Sequence, residues 1–438
     1  MAVPSAVAPM LPASAVRPAK VGRFVLLASG LLAIGAVVLG VFIVLQGGPK
    51  AAGIAVALAA LPVGPLIACY LWLDRYEPEP LRYLMIGLGW GAVVATACSA
   101  AGELAVAAFT SLGDLAQASV AAPVIEEFAK ALFVAIVVIA RRRQIDGVLD
   151  GIVYAGMVGI GFAFTENILY FMAAYLGSFD LGLPDGSAAP SGSVLVSVLF
   201  FLRALMSPFA HPLFTAATGV GLGVAVTTRR AWLRLVAPLL GFATAVAMHG
   251  AFNFTAYKAG DYFFLVYLVA MVPVFIGAVV FAVWVRHREG RTLTKELGEC
   301  ARLGWFHQAE IPWLTNLGRR RAARRYAQRH RGELGKRAVK EYQQASTELA
   351  FLRNRMSRGN APANAEQRHQ EIWSRLMGWR PYVLLPPVPM TYSPLPPMPP
   401  GATAPWAPPP QVRGDSPGPS PKGPSPPGPP PGTGTVPP

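Results

Sequence analysis

The stretch Ala118-Ser-Val-Ala-Ala-Pro-Val-Ile-Glu126-Glu127-Phe-Ala-Lys130-Ala-Leu-Phe-Val-Ala-Ile-Val-Val-Ile-Ala140 is as long as a bilayer is thick. It is apolar at almost every position, yet it carries three charges near its middle, and Arg141, Arg142 and Arg143 follow it directly. A charge in hydrocarbon costs at least a few kcal/mol, so residues of this kind face a protected interior. The spacing places Lys130 four residues after Glu126 and three after Glu127, within reach of both carboxylates on one helix face. The arginines mark a cytoplasmic end. Two readings follow for the trio: a structural clamp between helices, or part of a polar reaction centre sunk in a membrane.

The rest of the chain repeats the apolar theme. Of 438 residues, 53% are hydrophobic and only 14% are charged, which excludes an ordinary soluble globule. Lipid leaves no backbone group unpaired, so the apolar runs should be helices. We expect an all-α polytopic membrane protein with eight spans, near 24–45, 53–73, 84–106, 118–140, 148–176, 194–227, 233–256 and 262–285. The first run is too long for a signal-peptide core and lacks a small-residue exit, so it should be a retained span. Positive charge gathers in alternate connections, at Arg17, Lys20 and Arg23, at Arg75 and Arg82, at Arg141–Arg143, at Arg229, Arg230 and Arg234, and from Arg286 onward. The positive-inside rule then puts both termini in the cytoplasm. Cys69, Cys98 and Cys300 show no metal or redox spacing and read as small apolar fillers.

Four segments result: a cytoplasmic arm over 1–23, a membrane domain over 24–286, a basic helical region over 287–380 and a disordered Pro-rich tail over 381–438. The net charge of +15 is concentrated on the cytoplasmic side. In the basic region Val339, Tyr342, Leu349, Leu352 and Met356 recur at helical spacing, and attraction to anionic lipid headgroups is the simplest reading. No nucleic-acid partner is expected.

Three further polar clusters lie in the apolar runs: Glu166 with Asn167, His211, and His249 with Asn253. At ~1.5 Å rise per residue, Glu126 lies ~22 Å from Arg141, Glu166 ~24 Å from Asp150, His249 ~22 Å from Arg234 and His211 ~27 Å from Arg229. Spans of opposite direction therefore bring all four to one level, in the outer half of the bilayer. Pro208 and Pro212 break the helix around His211, which membrane proteins tolerate beside a cavity. Asn253 stands one turn beyond His249, where an amide can orient a ring or a substrate carbonyl. Glu103 and Arg203 read as interfacial residues that snorkel.

At these residues the chain resembles the PrsW family of intramembrane proteases and, more distantly, the CAAX-prenyl endopeptidase superfamily. The resemblance runs through Glu126-Glu127-x-x-Lys130, Phe162-x-x-x-Glu166-Asn167, His211-Pro-Leu-Phe-Thr and His249-x-x-x-Asn253, with Asp74-Arg-Tyr-Glu-Pro-Glu-Pro80 before them. It covers about residues 60–290. It implies an intramembrane endopeptidase of the plasma membrane, acting in regulated proteolysis on membrane-anchored proteins such as anti-sigma factors, near the extracytoplasmic side. Two versions of the chemistry stay open. In one, Glu166, His211 and His249 hold zinc, and Glu126 or Glu127 takes the proton of its water. In the other, a glutamate activates water directly, with His249 and Asn253 on the oxyanion. A proton- or ion-coupled transporter and a non-enzymatic scaffold are the competing functions.

Overall fold

The computed structural model describes residues 22–140, 147–178, 191–258, 260–359, 361–362 and 364–387. Most of the N-terminal arm, Arg141–Arg143 and the tail from residue 388 lie outside them. Among the described residues every regular element is helical. They are α1 Arg23–Ala60, α2 Val63–Leu73, α3 Leu81–Phe109, α4 Ala122–Ala140, α5 Val148–Tyr175, α6 Gly192–Leu199, α7 Ala210–Thr227, α8 Ala231–Lys258, α9 Phe263–Arg302, α10 Ile311–Thr315, α11 Leu317–Ser357 and α12 Ala365–Trp379.

Six helical stretches are long and apolar enough to cross a membrane, where eight spans are expected from the sequence. The difference has two sources. Spans 24–45 and 53–73 fall in one stretch, Val25–Leu73. Helix α1 breaks inside it at Gly48, whose φ of 73° is left-handed, ahead of Pro49. Val25 packs with residues 149–160 of α5, as do Leu66 and Tyr70 of α2, whereas Ile43 and Ala51–Ala59 pack near Ile168–Ala174 at its other end. The chain therefore reverses at Gly48–Pro49. The second source is α4, whose three charges set it apart from the apolar helices.

Helix α5 is the axis. It is buried along almost its whole length, because its glycines let other backbones come close. A Cβ on Gly151 would lie 2.1 Å from the Gly219 carbonyl oxygen of α7, and one on Gly161 would lie 1.9 Å from Leu88 of α3. These two contacts need glycine, and they hold α7 and α3 closely against α5 at two levels along its length. Further along, Gly159 lies against Pro212, so the first turn of α7 is pinned beside the polar end of α5.

Beyond the membrane part, α9 runs on without interruption into a second core. Leu293, Leu297 and Cys300 pack there with Trp305, Phe306, Leu314, Tyr342, Leu349 and Leu376. Helix α11 bends at Arg331–Gly332, where Gly332 has φ 61°, and folds back so that Ala323 and Ala327 meet Val339. The apolar face read along 339–356 is thus covered by α9, α10 and α12, and is not free to lie on a membrane. This C-terminal module also reaches the loop after α2. Tyr76 packs against its core, and Arg320 Nη1 donates to the Tyr76 carbonyl oxygen at 3.3 Å. Tyr382 and Val383, expected in the tail, pack against it as well.

In the loop itself, Asp74 Oδ2 accepts from the Glu79 amide at 2.7 Å, and Tyr154 Oη donates to Glu79 Oε2 at 2.8 Å. Burial pushes the Asp74 carboxyl up to about 8, opposed by the Glu79 amide and assisted by the Asp150 charge. The cysteines are free, with Cys300 buried and the other two exposed.

Candidate active site

Four helices bring the polar residues together. On α4, Lys130 is fully buried and lies 3.1 Å from Glu126 Oε2 and 2.9 Å from Glu127 Oε1, the i,i+4 and i,i+3 pairs read from the spacing. Its Nζ also stands 3.0 Å from His211 Nδ1 of α7 and 3.7 Å from the centre of the Phe162 ring of α5. Glu127 is saturated: Oε1 meets Lys130 and His249 Nδ1, the latter at 3.1 Å, and Oε2 accepts from Thr215 Oγ1 at 2.9 Å. With Nδ1–H donated to Glu127, His249 turns its Nε2 lone pair to Glu126 Oε2, 3.8 Å away.

The second half of the site joins α5 to the π-helical Phe200–Met206 that follows α6. His211 Nε2 is 2.5 Å from Glu166 Oε2, and Arg203 Nη2 reaches the same oxygen at 2.6 Å. Arg203 Nε also donates to Asn167 Oδ1 at 2.8 Å, and its guanidinium lies 3.9 Å over Tyr170. A continuous chain therefore runs from Glu127 through Lys130, His211 and Glu166 to Arg203. Three carboxylates face two cations, which leaves one negative charge for an imidazolium or a bound cation to offset. Aromatic rings wall the site: Phe162 is 5.2 Å from His211, and Phe214 stacks on His249 at 5.1 Å.

A small cavity of about 20 Å³ opens at His211, lined by Asn167, Arg203, Ser207 and Pro208 among others. It sits where the helix is broken. A turn at Ser207–Phe209, after a π-helical Phe200–Met206, frees the start of α7 and aims His211 inward.

Two readings from the sequence need correction. Arg203 is no snorkelling residue; it is the ion-pair partner of Glu166, and only its place within a span in an otherwise apolar run hinted at this. Asn253 does not turn to His249. Its Nδ2 donates to the Ala118 carbonyl oxygen at 2.9 Å, because the π-helical turn Gln117–Ala121 presents that oxygen to α8. The residues that can share a metal ion also differ from the expected set. Glu126, His211 and His249, all buried, offer ligand atoms within 4.8 Å of one another. Glu166 is drawn aside by Arg203. One carboxylate and two imidazoles are a donor set that zinc accepts.

Residues 79–278, which contain every one of these side chains, match the PrsW family intramembrane metalloprotease. Protease PrsW of Geobacillus kaustophilus (strain HTA426) is 32% identical over 116 residues, 26% of this chain and 51% of that protein. Protease PrsW of Oceanobacillus iheyensis is 29% identical over 203 residues, 46% of this chain and 80% of that protein. The matched part thus spans about half the length of the first relative and most of the second. No solved structure matches the chain. The family match and the apolar helices make this a multi-pass membrane protein, and they do not favour the transporter.

Proposed function

We propose, from a chain whose residues 79–278 belong to the PrsW family, that this protein is an intramembrane endopeptidase of the plasma membrane. Its substrates are membrane-anchored proteins of the anti-sigma-factor kind, cut near the extracytoplasmic side. The orientation rests on the distribution of arginine: with Arg75, Arg229 and Arg286 at cytoplasmic ends, both termini are cytoplasmic and the site lies in the outer half of the bilayer. The observation that carries the proposal is the buried Glu126–His211–His249 group inside the membrane bundle.

The separations favour exchanging two of the roles read from the sequence, with Glu126 rather than Glu166 among the ligands. Zinc at Glu126, His211 and His249 would act as a Lewis acid on water and on the scissile carbonyl. The chain's own residues do the rest. Glu127 takes no part as a base, since both its oxygens are engaged; it fixes the tautomer and orientation of His249. Lys130 supplies the nearest countercharge to Glu126 and Glu127 in a dry interior. Glu166, held by Arg203 and His211, which themselves line the cavity, is placed to accept a proton from water and to return it to the leaving amine. Phe162 and Phe214 keep bulk water out.

Purified protein incubated with candidate single-span membrane proteins tests this. Glu126→Gln, Glu166→Gln and His249→Ala should each lower cleavage by about 10² or more while the protein still accumulates in the membrane. Chelation should inactivate the wild type and zinc restore it. Full activity in both Glu126→Gln and His249→Ala would end the assignment; activity that resists chelators would remove only the metal.

A further inference from the structure

On the far side of α7 and α8 from the carboxylates lies an apolar groove of about 390 Å³. Helices α2, α5, α7, α8 and α9 form it, with Cys69, Trp72, Leu213, Val220, Phe275 and Ala282 among its lining residues, and almost no polar surface. Its volume falls within the range of about 300–1,000 Å³ common for ligand pockets. One side is open, where Trp72, Val274, Val279 and Phe281 are exposed. A helix is ~10–12 Å across, so even three turns would fill more than about 1,000 Å³; the groove takes a thinner object.

A cation lies just beyond the end of the groove. Arg286 lies one turn beyond Ala282, and its guanidinium is 3.9 Å over the ring of Trp72, itself a wall of the groove, and 5.7 Å from the ring of Tyr76. Only 9% of Arg286 is exposed, yet its Nε has no hydrogen-bond partner among the described residues, and no carboxylate pairs with it there. A buried guanidinium with a free donor, at the membrane-surface end of an apolar slot, matches an anionic phosphate joined to a hydrocarbon chain. We propose that Arg286 and this groove bind one phospholipid of the cytoplasmic leaflet, with the phosphate on the guanidinium and an acyl chain along α2 and α9. Such a lipid would wedge α9 against α2 at the level where α9 leaves the membrane for the C-terminal module. General attraction of the basic region to the surface would not single out this arginine.

The test reads lipid rather than cleavage, so it stands apart from the protease assignment. Full-length protein in detergent is titrated with a phosphatidylglycerol carrying brominated acyl chains, and quenching of Trp72 is taken as the difference between wild type and Trp72→Phe. Saturable quenching is expected in the wild type. Arg286→Gln should weaken it about tenfold, the loss of one charge-assisted contact, while Arg286→Lys, which lacks the Nε donor and the planar group over Trp72, should keep only part of it. Ala278→Trp, which fills the groove without touching the arginine, should abolish it; native mass spectrometry should show one retained phospholipid in wild type and none in this variant. Identical titrations in wild type, Arg286→Gln and Ala278→Trp would reduce the signal to annular lipid and overturn the proposal. Displacement of the probe by a single-span peptide, with equal strength in wild type and Arg286→Gln, would reassign the groove to substrate.

Discussion

Replacing Lys130 by methionine removes a cation while leaving its volume nearly filled. The side chain is fully buried between Glu126 and Glu127, at 3.1 and 2.9 Å, and Glu127 is itself fully buried. Breaking a buried pair by deleting one partner costs about 3–5 kcal/mol, because the remaining charge is stranded. Here two carboxylates are stranded together, so the upper end of that range applies, against a total stability of about 5–15 kcal/mol for a typical domain. We expect Lys130→Met to accumulate poorly and to unfold well below the wild type in detergent. Glu127→Gln should be milder, since the amide oxygen still accepts from one of Thr215 and His249, which meet different oxygens of Glu127. The double variant Lys130→Met/Glu127→Gln should recover a large part of the loss, giving a coupling energy of about 1–3 kcal/mol in the cycle. Thermal unfolding of the four purified proteins measures this directly. A Lys130→Met protein as stable as the wild type, or a cycle with no coupling, would show that the carboxylates are neutral and that the ion-pair account is wrong.

Asn253→Ala should lose about 0.5–1.5 kcal/mol, the hydrogen bond to Ala118, while cleavage persists at a reduced level; a collapse of kcat with stability unchanged would restore Asn253 to the oxyanion. Asp74 titrates near pH 8 in the fold, above its unfolded value, so its contribution is full at acid pH and fades as pH rises through about 8. Asp74→Asn should flatten the pH dependence of unfolding between about 4 and 8, the unfolded and folded values, and an unchanged profile would contradict it. Truncation after residue 387 should leave insertion and cleavage intact, whereas truncation after 380 removes Tyr382 and Val383 from their core and should lower the unfolding temperature.

The membrane helices were legible because hydropathy is a one-dimensional property, and Glu126, Glu127 and Lys130 were legible because helical geometry fixes which neighbours three and four residues apart can meet. Partners between helices were not. Glu166 has Arg203 on one side and His211 on the other, and nothing along the chain says which of three carboxylates each cation takes. Asn253 sits one turn from His249, as its spacing requires, but the π-helical turn at 117–121 offers it a better acceptor. The reversal at Gly48 shows in Gly47-Gly48-Pro49, yet hydropathy alone does not distinguish a tight reversal from a long kinked helix. In the basic region the apolar spacing of Val339, Tyr342 and Leu349 was plain, while its cover, from Leu293 to Leu376, comes from segments too distant in sequence to pair by inspection.

Helix α9 belongs to two media at once, and this puts a constraint on its length as well as its composition. Its apolar stretch passes Arg286 and enters the C-terminal core at Leu293, with no joint between. One residue inserted in that stretch would rotate everything beyond it by ~100° and shift it by ~1.5 Å. Arg320 would then swing away from Tyr76, and the module would face a different side of the bundle. Seven added residues would bring the angle back to within ~20° but raise the module by ~10 Å, off the loop it rests on. Relatives that keep both contacts should therefore tolerate substitutions between 286 and 293 far more readily than insertions or deletions.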